Sequence, residues 1–310
     1  KRNDLNNAID LLKNNQKIDL NYLAKKLFED SKVTISYTNW LDIGHVATYP
    51  LTRISSISSR FFNRLIYNKE KNIIKKKSTN KDKIEQEISF YNTIPKEIQR
   101  YFPMIINVDN KSTDISYDME YIGKPNLSEI FLFSEIGPNA VLRIFNSIEI
   151  VYKTFYEKPF LLEENASWLY SEKTNSRRRE LEKIIKKEDF VFLRKIYEND
   201  FKINNIRLPS LKKTFLIINE ELIKFEKIRP LHLGHGDLCF NNILVDPIYG
   251  TINLIDPKAQ KHISSDKYGL MDCFYDLSKL NHSIEGLYDS VVNNLYNLKA
   301  FDINNICFEI

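Results

Sequence analysis

The segment HLGHGDLCFNNILVDPIYGTINLID, from His232 to Asp256, constrains this chain more than any other stretch. Two short apolar runs, ILV and INLI, lie on either side of a turn, so they read as strands of a hairpin whose outer ends come together. His235, Gly236, Asp237, Asn241 and Asn242 crowd into the polar loop before the first run, and Asp256 closes the second, nineteen residues after Asp237. The hairpin therefore predicts that Asp237, Asn242 and Asp256 meet in space. Acid, amide and acid form an all-oxygen set, which suits hard Mg²⁺ bound partly through phosphate and does not suit zinc.

The surroundings divide by texture. Leu5, Ile9 and Leu12, then Leu20, Leu23 and Leu27, fall at helical spacing and predict two short amphipathic helices in residues 1–32. From Val33 to Lys77 short alternating stretches predict a small antiparallel sheet, with YNKEKN as a turn. A helix follows in KDKIEQEISFYNTI, closed by Pro95, then strands in MIINV and DISYDMEYI. Beyond Asn126 the pattern is helical through Lys227, broken only by the hairpin segment, and helical again in DCFYDLSKL and EGLYDSVVNNLYNL. The expectation is an α+β chain in two lobes, with a helical extension over 1–32, a β-rich lobe over 33–122 and a larger helical lobe over 123–310.

Composition narrows the function. Forty-five Lys and Arg against 41 Asp and Glu leave a formal charge of +4, too mild and too dispersed for a nucleic-acid-coating protein. Eight Gly in 310 residues exclude a function built on several glycine-rich loops. Cys239, Cys273 and Cys307 are odd in number and lack a CxxC pair, which fits a reducing cytoplasm. No apolar run approaches the ~20 residues of a membrane span.

HGDLCFNNILVD followed by INLID resembles the catalytic loop and metal strand of the aminoglycoside phosphotransferase and choline kinase superfamily, small-molecule kinases with the protein-kinase fold. The resemblance covers roughly residues 50 to 290. It implies a two-lobed protein-kinase-like fold and an enzyme that uses ATP and Mg²⁺ to phosphorylate an alcohol. Asp237 would orient and deprotonate the attacking hydroxyl, Asn242 and Asp256 would hold Mg²⁺, His235 would prop the loop, and Asp276 would brace it. A nucleotide-binding lysine is implied on a strand of the first lobe, paired with a glutamate on the next helix. Lys75, Lys76 and Lys77 compete for that place. Lys76 with Glu87 is the first choice, Lys75 with Glu87 or Glu85 stays open, and a solvated basic strand edge is the alternative for each. Ser58 and Ser59, in ISSISSRFFN, occupy the place of a phosphate loop, and the backbone of Glu120 and Ile122 would face adenine at an interlobe hinge.

The implied partner is a small-molecule hydroxyl acceptor, a sugar or an amino alcohol, and the chain resembles the kind of kinase found among capsule and lipopolysaccharide biosynthesis phosphotransferases. Trp168, Tyr170, Tyr268 and Phe274 are candidates for its pocket, with core packing as the alternative. Arg177, Arg178 and Arg179 either face a phosphorylated substrate or form a solvated helix face. A cationic antibiotic would need an acidic pocket, and no dense acidic cluster stands out beyond Glu163, Glu164 and the loop itself. TNWLDIGHVATYP, with Trp40 and His45, resembles the closing segment of sugar nucleotidyltransferases and suggests a fused or partner enzyme of that class. The rivals are a silent pseudokinase, an aminoglycoside kinase, and a basic nucleic-acid binder, which would bind in a salt-dependent way without ATP.

Overall fold

A computed structural model describes residues 63–109, 115–159, 161–226, 228–262 and 265–310. The expected helices of residues 1–32, the stretch to residue 62, and with them Trp40, His45, Ser58 and Ser59, lie outside the described residues. The chain is mixed α+β, β-rich at its amino-terminal side and mostly helical beyond. Among the described residues, no helix is long and apolar enough to cross a membrane.

The first sheet contains β1 (Asn63–Asn68), β2 (Ile73–Ser78), β3 (Ile105–Asp109) and β4 (Ile115–Glu120), all antiparallel in the order β1-β2-β4-β3. In β2 the two-residue period puts Ile74, Lys76 and Ser78 on one face and Ile73, Lys75 and Lys77 on the other. Helix α1 (Lys81–Thr93) starts at Asn80, whose side chain accepts from the Lys83 N–H. Its buried stripe is Ile84, Glu87, Phe90 and Tyr91, so one carboxylate stands among apolar residues at helical spacing. Ile84 packs with Ile115 and Tyr117 against the sheet.

The helical part begins with α2 (Lys96–Gln99), α3 (Leu127–Phe133) and α4 (Pro138–Tyr156). A capping box between Asn126 and Glu129 starts α3. Helices α5 (Ser171–Ile185), α6 (Val191–Glu198), α7 (Leu211–Phe225), α8 (Cys273–Ile284) and α9 (Tyr288–Val292) follow. Phe90 and Tyr91 of α1 share one core with Leu127, Ile144, Val151 and Phe155 of α3 and α4, so the helix that backs the first sheet is continuous with the second lobe.

Several strands lie where helix was expected. β5 (Leu162–Asn165) and β11 (Leu270–Met271) flank β8 (Ile228–Leu233). β6 (Phe201–Ile203) and β7 (Ile206–Leu208) form a hairpin that meets β12 (Asn297–Asp302) and β13 (Asn305–Glu309) in a second four-stranded sheet. The physical reason is local: Asn204 and Asn205 both adopt positive φ, the requirement of a two-residue hairpin turn. After Gly286 only the five residues of α9 remain helical before β12.

Candidate active site

The hairpin read from the sequence is β9 (Ile243–Val245) paired antiparallel with β10 (Ile252–Leu254). Asp246 closes its turn, accepting from the Ile248 and Tyr249 N–H groups. At the open end the Ile255 N–H donates to the Asn242 carbonyl at 3.0 Å, which fixes Asn242 beside the residue before Asp256. Asp256 takes a left-handed φ of 53°, so the chain leaves the β10 direction at this carboxylate.

Lys76 joins the two halves. Its ammonium lies 2.8 Å from Glu87 Oε2 and 2.8 Å from Asp256 Oδ1, and the residue is only 5 % exposed. Burial alone would lower its pKa; the charges of Asp256 and Glu87 and their hydrogen bonds outweigh that and hold it above the ordinary lysine value. Tyr117 donates its hydroxyl to the same Glu87 oxygen at 2.8 Å. The buried glutamate of α1 is therefore explained by a buried lysine of β2, eleven residues earlier.

The loop before β9 is held from below by Asp276 of α8. This fully buried carboxylate accepts from the His235 and Gly236 N–H groups at 2.8 Å and from the Tyr156 hydroxyl at 2.5 Å. Burial outweighs these contacts and raises its pKa. His235 is also fully buried, which lowers its pKa; the neutral ring accepts from the Asp237 N–H at Nδ1 and donates from Nε2 to the Ile255 carbonyl. It thus ties the loop to β10 and has no route to transfer a proton to a ligand. Gly236 has φ 76°, and a Cβ there would lie 2.7 Å from Met271 and 2.8 Å from the Lys258 Cβ. Only glycine lets the loop turn so close to both.

Asp237 projects from this frame. The Asn242 amide donates to its carbonyl at 2.9 Å and to its carboxylate at 3.3 Å, while Lys279 of α8 stands 2.6 Å from Oδ1. Burial works against the Lys279 charge, and the Asp237 hydrogen bond and charge overcome it, raising its pKa. Asn241 instead turns its amide to Asp289, so the two adjacent asparagines have different jobs. Cys239 is buried, which pushes its thiol up to about 11 and keeps it unreactive.

Lys76, Asp237, Asn242 and Asp256 all line one cleft of about 790 Å³. Its apolar part is supplied by Leu65, Ile74 and Met119 of the first sheet, Ile122 just after β4, and Leu244 of β9. Asn242 and Asp256 also fit a hard cation. The Asn242 amide nitrogen is engaged, which turns its oxygen the other way, and the Asp256 side chain is 39 % exposed. Among the described residues no three His, Cys, Asp or Glu form a metal cluster, but Mg²⁺ takes one or two protein ligands and completes its shell with water and phosphate.

Other candidates lie elsewhere. Lys75 faces away on β2, 3.5 Å from Asp118, and neither Lys77 nor Glu85 lines the cleft. Glu120 is outside the lining; its N–H donates to the Met104 carbonyl. Tyr268 packs on the main core, Tyr170 donates to Asp272, and Arg229 covers the Phe274 ring. Trp168 lines a second cavity of about 540 Å³. Arg177 and Arg178 pair with Glu180 and Glu182 along their own helix. Sequence reasoning missed Tyr117 and Lys279, which line the cleft from elements distant in sequence from the loop.

Among solved structures, the chain is similar to a thermostable mutant of aminoglycoside phosphotransferase APH(4)-Ia in ternary complex with ADP and hygromycin B. Identity is 10 %, the match covers 80 % of this chain and 83 % of that one, and the TM-score is 0.41. The apo form of a thermostable mutant of the same enzyme matches at 11 % identity over 78 % and 82 % of the two chains, with a TM-score of 0.40. No protein-family model and no curated protein matches the sequence.

Proposed function

We propose that the chain is a kinase-like phosphotransferase that moves the ATP γ-phosphoryl group to a hydroxyl of a small molecule. The observation that carries this reading is the convergence of Lys76, paired to Glu87, with Asp237, Asn242 and Asp256 in one cleft. The apolar slot at Leu65, Ile74 and Leu244 suits a flat base, with the Ile122 backbone at its edge, and Lys76 is placed to meet phosphate oxygens. Asn242 and Asp256 would hold Mg²⁺, which neutralises phosphate charge when bound. Asp237 would accept the hydroxyl proton as the acceptor oxygen bonds to γ-phosphorus and ADP departs with the electrons of the broken P–O bond. Lys279 keeps that carboxylate aimed. The lobes would divide near residue 122. A sugar or amino alcohol destined for surface polysaccharide, and a cytoplasmic setting, are proposed from the sequence resemblance alone. The reading is tested by Mg²⁺-dependent ADP release from ATP over sugars, amino alcohols, nucleosides and aminoglycosides. Asp237→Asn is expected to lower turnover by about 10²–10⁴ while ATP binding stays nearly intact; full activity in that variant would overturn the assignment.

A further inference from the structure

The second cavity shares no lining residue with the proposed nucleotide cleft. Lys173 of α5 and Lys258, two residues beyond Asp256, line it, whereas Asp237 and Lys279 line the cleft. Lys258 is pinned to the loop, since its N–H donates to the His235 carbonyl at 2.8 Å and its Cβ lies against Gly236. The ammonium groups of Lys173 and Lys258 lie 4.8 Å and 5.7 Å from the centroid of one ring, Tyr275, and Lys173 also meets the Tyr275 hydroxyl. Three lysines thus gather around Tyr275 and Asp237, and Asp237 is already paired with Lys279. Among the described residues no carboxylate forms an ion pair with Lys173 or Lys258. Their neighbours differ in this respect: in the same cavity Arg177 pairs with Glu180, Lys261 with Asp266 and His262 with Glu164. Glu172 also lines the cavity, where it accepts from the Ser167 hydroxyl and forms no ion pair with either lysine; two half-buried ammoniums without an ion-paired carboxylate are costly unless an anion enters. Burial, and then repulsion from Lys279, lowers the Lys173 pKa.

We propose that Lys173 and Lys258 form an anion subsite in the second cavity, and that the acceptor is an alcohol carrying a phosphate or carboxylate group. This rests on the phosphotransferase reading, which it deepens by naming the acceptor's charge. It also gives the two lysines separate duties from Lys76, which lines the other cavity and would serve the nucleotide.

The test uses the whole chain and inorganic phosphate as probe, with ADP saturating so that the nucleotide cleft is filled. Phosphate binding is measured by calorimetry against chloride at matched ionic strength, in the wild type, in Lys173→Met/Lys258→Met and in Lys76→Met. The expected result is phosphate binding in the wild type, a Kd raised at least about tenfold in the double variant, and binding retained in Lys76→Met. Both readouts are independent of finding the acceptor, and circular dichroism confirms that the variants are folded. The proposal is overturned if the wild type does not bind phosphate, or if binding survives in the double variant and is lost in Lys76→Met. ATP titration of the wild type separates the two readings. If ATP binds and phosphate does not, the anion subsite falls alone, and if ATP does not bind, the phosphotransferase reading falls with it.

Discussion

Lys76 shows how one residue holds opposing terms in balance. Its ammonium lies between two carboxylates, and Glu87 is 1 % exposed. Removing the cation leaves a buried glutamate whose close partners are Tyr117 and, at 3.5 Å, Lys83. Lys76→Met is therefore expected to cost about 3–5 kcal/mol of stability, the usual range when one partner of a buried ion pair is removed. The urea midpoint measures this, and a loss below about 1 kcal/mol would contradict the buried-pair account. His235 gives a pH signature. Its folded pKa lies below the unfolded value, so the unfolded state binds the extra proton as pH falls below about 6.5. The stability that it contributes is complete above that pH and is lost on acidification toward its folded value. His235→Gln is expected to be less stable at pH 7 yet to show a shallower fall between pH 7 and 5; an unchanged slope would assign the acid sensitivity to other groups. The sequence made these residues legible where spacing and burial agree. Lys76 shares a face with Ile74, and Glu87 stands in the apolar stripe of α1, so a pair was expected. Lys279 was illegible because it comes from a helix surface 42 residues after Asp237, and no local pattern links the two.

At the scale of elements, the loop before β9 is positioned by what lies beneath it. Helix α8 supplies Asp276 under His235 and Gly236, and Lys279 one turn later beside Asp237, so a single helix both braces the loop and orients its acid. Asp276→Asn keeps the volume but replaces an acceptor oxygen by an amide that would face a donor N–H. A loss of about 2–4 kcal/mol is expected, since at least one buried N–H loses a charged acceptor. Thermal denaturation checks it. The approach of β11 depends on Gly269, with φ 65° and Phe90 carbons 2.5 and 2.7 Å from where a Cβ would lie. Gly269→Ala combines an unfavourable backbone region with overpacking against α1, so a loss of about 2–4 kcal/mol is expected. Elements were read well from sequence where the period was long: α1, α4, α5 and α8 follow their apolar spacing. The strands β5, β6, β7, β12 and β13 were not read, because three- to six-residue strands beside long helices carry little periodicity of their own. The Asn204–Asn205 pair between FKI and IRL was the hairpin signal present in the text of the sequence.

For the molecule as a whole, the cleft draws its residues from elements far apart in the sequence. Lys76 and Glu87 come from the first sheet and α1, while Asp237, Asn242 and Asp256 come from the second part. The Lys76–Asp256 ion pair links these two sets in the cleft. A ligand that touches both sets should therefore stabilise the whole fold by mass action, by about 2.7 kcal/mol at one hundred times its Kd. On the proposed reading, nucleotide binding through Lys76 and the apolar slot would require the first set, whereas an increment from Mg²⁺ would require Asp256 and Asn242. ATP alone is expected to raise the melting temperature, and ATP with Mg²⁺ to raise it further. In Asp256→Asn the carboxylate is gone while Lys76 keeps Glu87, so the ATP increment is expected to persist and the Mg²⁺ increment to vanish. Thermal melts of both proteins with ATP, with and without Mg²⁺, read the two terms separately. An Mg²⁺ increment that survives in Asp256→Asn would move the metal away from this carboxylate; loss of the ATP increment as well would mean that Asp256 serves chiefly to hold Lys76 in place.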